Sequence, residues 1–222
     1  LSEIFSSISK ISSVDSTVNI IDAISTLLKR YKNYKCKRFV YFSSSMVYGD
    51  FKKSFVTENT EKKPKDAYGI MKLAGEVVTQ GLCKMNSIPY SIIRPSAVYG
   101  PKDMNRRVSQ IFIESALKRK KIFIQGKEEK LDFTYIIDLV QGAILAATRK
   151  KGNNEIFNIT YGKGQSLLKF VLYLKSQFPN LKYEIKERDR TKPSRGTLSI
   201  NKAKRLLGYK PRYNLQKGIK EY

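Results

Sequence analysis

Stretches of helical period alternate with short β-branched and aromatic runs in the N-terminal half, and that alternation leaves the chain few folds. From about Thr17 to Tyr34 apolar side chains recur at Val18, Ile21, Ala23 or Ile24, Leu27, Leu28 and Tyr31, close to the period that buries one face of a helix. Phe39 to Ser43 follows as a strand, and a polar loop runs through Pro64. A second helix is expected from about Ala67 to Met85, then a strand Tyr90 to Arg94 that Pro95 ends. Helix, strand, helix, strand at these lengths predicts βαβ units on a parallel sheet. Both strands lead into the same tripeptide, Val47-Tyr48-Gly49 and Val98-Tyr99-Gly100. Ligands bind beyond the carboxyl ends of strands in such sheets, so the two loops are expected to flank one crevice. Glycine's freedom at φ also makes each a good turn with no further role.

Beyond Pro101 the texture changes. A helix from about Arg106 to Lys121 precedes a strand Ile122 to Ile124, and Lys118 to Lys121 would sit at its carboxyl end, where cations are favoured. Asp132 to Asp138 opens a helix through about Arg149, followed by a strand Glu155 to Thr160. Helix Ser166 to Gln177, strand Tyr183 to Lys186 and helix Asn201 to Leu207 complete the set, with Asn201 as N-cap and Gly208 as C-cap.

Composition narrows the function. The 222 residues suffice for one domain with or without a smaller appendage, and 41% hydrophobic content supports a packed core. Cys36 and Cys83 form no close-spaced pair and read as buried thiols in a reducing compartment. No apolar run approaches the roughly 20 residues of a membrane span. With no signal peptide at either end, a cytoplasmic location is expected. The net charge of +24 invites nucleic acid, but the lysines are spread along the whole chain. Without interleaved aromatics and basics, nucleic-acid binding is not expected, and a solvated surface or an anion-attracting cleft remains. The chain opens on Leu1 in mixed apolar sequence, as a piece of something longer would.

The chain has no histidine, which limits acid/base chemistry. Tyr68 and Lys72 lie four apart on the second helix. A free phenol titrates near ~10 and is a poor base at neutral pH, but an ammonium one turn away favours the phenolate. A hydroxyl from Ser43-Ser44-Ser45 could hold a substrate oxygen beside it.

These residues together resemble the extended short-chain dehydrogenase/reductase superfamily, in its NAD-dependent nucleotide-sugar epimerase/dehydratase branch. The resemblance is carried by Phe42 to Gly49, the Tyr68/Lys72 pair and Ile93 to Pro101, and further by Leu131 to Leu139, Phe157 to Ile159 and Lys204 to Pro211. It implies an α/β fold: a Rossmann-like parallel sheet lacking its first βα units, with a small C-terminal α/β substrate lobe. Residues 1–101 would be the partial dinucleotide-binding domain and 102–222 the substrate lobe, with about 132–160 packing back on the sheet. It also implies Ser44, Tyr68 and Lys72 as catalytic, with Ser43, Tyr68, Lys72, Pro95 and Val98 at the coenzyme and Ser45 and Arg195 at the substrate. NAD is the expected coenzyme, with NADP left open, and a nucleotide sugar the expected substrate. A homodimer through the first two helices is expected by the same analogy.

Departures from the pattern sharpen the reading. The branch's glycine-rich G-x-x-G-x-x-G turn is missing, and Gly162-Lys163-Gly164 comes too late to replace it. Glu3 to Ser9 looks like the family's fourth strand, so most of the coenzyme half would precede it, and whether this chain acts without that half is left open. Dehydratases of the branch carry acids directly after the catalytic hydroxyl, where Ser45 and Met46 stand, so elimination is disfavoured. What remains is 4-epimerisation through a transient keto sugar. A simple NAD(P)-dependent reductase, a dehydratase or a non-catalytic RNA-binding member is the alternative. Leu131 and Ala97 replace an arginine and an asparagine of the pattern, which weakens the nucleotide-sugar assignment without touching the redox chemistry. Arg106 and Arg107 have no assigned place.

Overall fold

The computed structural model describes residues 13–31, 37–53, 55–103 and 107–222. The expected strand Glu3 to Ser9, Cys36 and Arg106 lie outside the described residues. In chain order the elements begin with α1 (Ser13–Tyr31), β1 (Phe39–Phe42), β2 (Phe55–Val56), α2 (Ala67–Met85), β3 (Tyr90–Arg94) and β4 (Val98–Tyr99). Then come α3 (Val108–Leu117), β5 (Ile122–Gln125), β6 (Lys130–Leu131), β7 (Thr134–Tyr135), α4 (Ile136–Thr148) and β8 (Glu155–Asn158). The chain closes with β9 (Gln165–Ser166), α5 (Leu167–Gln177), β10 (Tyr183–Lys186), β11 (Thr197–Leu198), α6 (Asn201–Leu207) and α7 (Leu215–Lys220).

The central sheet is parallel, in the order β1-β3-β8, with Tyr41 opposite Ile92 and Ile92 opposite Ile156. Side chains alternate across a strand, and β3 uses both faces. Ile92 joins Ile24, Leu28, Tyr41 and Cys83 under α1 and α2, whereas Ile93 joins Leu139, Ala146 and Phe157 under α4. Burial on both faces explains why the apolar Ile92 and Ile93 stand side by side in β3 instead of alternating with polar residues. Each fully buried isoleucine contributes roughly 2 kcal/mol. Asp66 caps α2 by accepting from the Gly69 N–H at 2.7 Å. Gly75 leaves room for the Tyr41 ring, whose hydroxyl occupies the place of a Cβ.

A second core lies beyond β4. Tyr99, Phe112, Phe133 and Phe170 pack largely edge to face, with Tyr99–Phe133 centroids 6.3 Å apart and Phe112–Phe170 centroids 5.9 Å apart. Here β5 pairs in parallel with β10. The long connection after β1 carries β2, which pairs with β11 from near the opposite end of the chain.

Several local expectations change. The helix expected over Arg106 to Lys121 spans only Val108–Leu117, so its four basic residues lie past the end, with Arg119 at a φ of 54°. Asn201 is the first residue of α6 and not its cap; Ile200 holds that place without a side-chain bond, while Gly208 closes the helix in the left-handed conformation as expected. The segment from Asp132 is helical only from Ile136, because Thr134–Tyr135 first pairs with Val98–Tyr99. No described helix is long and apolar enough to cross a membrane.

Candidate active site

The two Val-Tyr-Gly loops meet above the carboxyl end of the sheet. The Ser43 N–H donates to the Ile93 carbonyl at 2.8 Å and the Ser45 N–H to the Pro95 carbonyl at 2.9 Å, so the loops are stitched together as they leave their strands. Ser44 caps a single 3-10 turn, Ser45–Tyr48, its Oγ accepting from the Met46 N–H at 3.2 Å. Tyr68 stands in the first turn of α2 and is 44% exposed, open to the crevice. One turn on, Lys72 bends under it. Its Nζ donates to the Phe42 carbonyl at 2.9 Å and lies 5.6 Å from the Tyr41 ring centre and 5.7 Å from that of Tyr68. Burial lowers the Lys72 pKa, and the positive charge of Arg107 adds to the effect.

Ser44, Ser45, Tyr68, Pro95, Val98 and Arg195 line one cavity of about 390 Å³. Ser43 is placed apart from it: its hydroxyl donates to the Glu76 carboxylate in the interior. Arg107, which sequence reasoning left unplaced, also lines this cavity. A larger cavity of about 590 Å³ adjoins it and includes Asp66, Phe123, Gln125 and Lys192. Met46, Val108, Leu131 and Arg195 border both and form the wall between them.

Arg195 reaches this wall because its segment is held from several sides. The Phe51 N–H donates to the Ser194 carbonyl at 2.8 Å, and the Ser194 N–H to Asp50 Oδ1 at 2.7 Å. Farther along, Leu198 N–H donates to Asp132 Oδ2 at 3.0 Å. Asp132 is fully buried and also accepts from Thr160 Oγ1 and the Gly162 N–H, both at 3.1 Å. Burial pushes its carboxyl up to about 6, against the pull of those hydrogen bonds. Arg195 itself is half-buried and has its pKa lowered by desolvation.

Beneath the loops lies a polar network that the sequence did not announce. Glu76 accepts from Arg94 through both oxygens, Nε to Oε1 at 2.8 Å and Nη2 to Oε2 at 2.6 Å, with both side chains essentially without exposure. Arg94 Nη1 continues to the Tyr48 hydroxyl at 2.9 Å, which donates to Asn158 Oδ1 at 2.7 Å. Burial alone would lower the Arg94 pKa, but hydrogen bonds and charge from Glu76 and Tyr48 outweigh it and raise it. The phenol of Tyr48 is pushed up to about 12, chiefly by burial. The network ties α2, the ends of β1, β3 and β8 and the 3-10 turn into one unit, which sets Ser44 relative to Tyr68. One signal was available: a charged Arg94 closing an apolar strand needs a buried partner. Nothing distinguished Glu76 from a solvent-facing residue of the helix.

Among the described residues no cluster of histidine, cysteine or carboxylates could hold a metal ion. The chain is 33% identical over 202 residues to an uncharacterized UDP-glucose epimerase of Bacillus subtilis (strain 168), a match covering 90% of this chain and 63% of the relative. It is 32% identical over 220 residues to a putative UDP-glucose 4-epimerase of Methanocaldococcus jannaschii, covering 93% of this chain and 68% of that one. Among solved structures, UDP-glucose 4-epimerase from Thermotoga maritima with UDP-glucose superposes with a TM-score of 0.87 at 27% identity, over 98% of this chain and 72% of the other. UDP-glucuronic acid 4-epimerase from Bacillus cereus, in complex with UDP-glucuronic acid and NAD, gives 0.83 at 29%, over 91% and 65%. The chain thus spans about two thirds of the length of these relatives. The family model for the NAD dependent epimerase/dehydratase family matches residues 9–160, through β1, both loops, the Tyr68/Lys72 helix and β8. With that match added to the gathered serine, tyrosine and lysine, the chain belongs to the NAD dependent epimerase/dehydratase family.

Proposed function

We propose that this chain catalyses 4-epimerisation of a nucleotide sugar with NAD, by oxidising the sugar hydroxyl, letting the keto sugar turn over and reducing it from the other face. The observation that carries this is the joint placement of Ser44 and Tyr68 on one cavity with the Lys72 ammonium directly beneath the phenol. The coenzyme's nicotinamide end would lie where Tyr68, Pro95 and Val98 line the cavity, with Lys72 beneath the phenol and within reach of the ribose. Bound there, NAD would accept and return the hydride. Tyr68 takes the proton from the sugar hydroxyl and gives it back, and Ser44 Oγ holds the reacting oxygen. Lys72 places positive charge beside the ring throughout. Arg195, on the wall between the cavities, suits a diphosphate, with the nucleoside in the larger cavity and the hexose in the smaller. Among the described residues lining the smaller cavity there is no aspartate or glutamate, which favours epimerisation over a dehydratase's elimination.

The rest of the reading follows from this proposal: a substrate lobe after Pro101, a cytoplasmic setting and a homodimer. Ile70, Val77 and Met85, at 53%, 63% and 81% exposed along α2, offer an apolar stripe for that dimer. The test is conversion of UDP-glucose to its C4 epimer by the protein with NAD, compared with Tyr68→Phe. Removing the phenol should lower turnover roughly 100-fold or more while nucleotide-sugar binding persists. Equal turnover by the two proteins, or none by the chain both alone and fused to a relative's glycine-rich βα units, would overturn the proposal.

A further inference from the structure

Arg195 stands near the end of a stretch without helix or strand, residues 187–196 between β10 and β11, yet it forms part of the wall between the cavities. An arginine on a loose segment loses much freedom when it grips a ligand, so whatever fixes its backbone bears on affinity. Its own guanidinium is held weakly: Nη1 meets the thioether sulfur of Met46, a poor acceptor. The backbone on either side is held far better, and in each direction by a carboxylate.

One residue before Arg195, the Ser194 N–H donates to Asp50 Oδ1 at 2.7 Å. Three residues after it, the Leu198 N–H donates to Asp132 Oδ2 at 3.0 Å. Hydrogen bonds to an ionised acceptor are shorter, stronger and more directional than neutral ones, so they fix position and not merely proximity. The settings of the two acids differ. Asp50 is 41% exposed, pairs with Lys65 at 2.7 Å and directly follows Gly49 of the first Val-Tyr-Gly loop. Asp132 has no exposure, and its donors come from two segments: Thr160 Oγ1 and the Gly162 N–H just after β8, and Leu198 in β11. A buried carboxylate is costly to keep, and apolar packing would hold β11 to the core without that cost. Neither acid is among the described residues lining the two cavities, so any effect on a ligand passes through what they hold.

We propose that Asp50 and Asp132 are positioning residues for nucleotide-sugar binding, holding segment 194–198 from both sides so that the Arg195 guanidinium is already in place for the diphosphate. This rests on the nucleotide-sugar reading and adds what keeps its diphosphate arm in register. Asp50 also couples the two ends of the site. The loop it follows carries Ser44, so the hydroxyl for the reacting oxygen and the guanidinium for the diphosphate share one support.

A double-mutant cycle on UDP-glucose binding, read by calorimetry on the full chain, tests this. Arg195→Met and Asp132→Asn should each weaken binding about tenfold, and Asp50→Ala about threefold. With Met already at 195, neither carboxylate variant should weaken it further, because residues acting through one contact do not add. A merely structural role would give losses that add. Asp50 is exposed and outside the cores, so its cycle decides the matter even if Asp132→Asn does not fold. Additive losses, an Asp50→Ala chain that binds as the parent does, or no effect of Arg195→Met would overturn the positioning role and leave the nucleotide-sugar reading standing. Failure of UDP-glucose to bind the chain, both alone and fused to a relative's glycine-rich βα units, would remove that reading and this role with it.

Discussion

Val47-Tyr48-Gly49 and Val98-Tyr99-Gly100 end neighbouring strands with the same three residues, yet they are built differently. After β1 the chain turns at once, through Ser45–Tyr48, and Gly49 takes a φ of 66°. After β3 the left-handed bend comes earlier, at Ala97 with a φ of 37°, and Val98–Tyr99 then runs extended against Thr134–Tyr135. The Tyr48 hydroxyl has Arg94 and Asn158 as partners, whereas that of Tyr99 has none among the described residues and its ring sits among aromatics. One loop is fixed by polar bonds to a buried ion pair; the other is held by a β-bridge and apolar packing. Both face the crevice, but the neighbours, and not the tripeptide, decide what each tyrosine does.

The largest effect that could break this contrast lies under the first loop. Glu76→Gln leaves the buried Arg94 without its counter-charge and should destabilise by about 3–5 kcal/mol in urea unfolding. A loss under about 1 kcal/mol would mean the first loop stands without its ionic floor. Next in size are the two bends. At Gly49 a Cβ would run into the Lys63 carbonyl oxygen as well as adopt a left-handed φ, so Gly49→Ala should cost about 3 kcal/mol. Ala97→Gly relieves strain and should stabilise by up to about 1 kcal/mol in thermal unfolding; a destabilisation there would show that Ala97 is packed and not strained. The smallest difference concerns the hydroxyls. Tyr48→Phe should cost about 1–3 kcal/mol, and Tyr99→Phe should fall within about 0.5 kcal/mol of the parent. Equal losses at the two positions would erase the distinction drawn here.

What was readable in the chain followed local rules. α2 and β3 fall where expected, at Ala67–Met85 and Tyr90–Arg94, because Asp66 caps the helix, Pro95 stops the strand and the apolar spacing matches each period. The two-residue strands β2 and β11 left no periodic trace; Phe55 pairs with Thr197 only because the folded chain brings them together. The short α7, capped by Asn214, was likewise missed. At the site, Ser44, Tyr68, Pro95, Val98 and Arg195 were legible by pattern and share one cavity, while Ser43 is committed to Glu76. Arg107 was visible as a charge but not as a cavity residue.

The order of residues by itself settled the longer helices and strands, and that a phenol and an amine lie one helical turn apart, since both depend on near neighbours. Only the tertiary structure decided which charges are buried together and where Arg195 and Arg107 point. Those depend on residues far apart in the chain, and no local period or spacing encodes the distance between them.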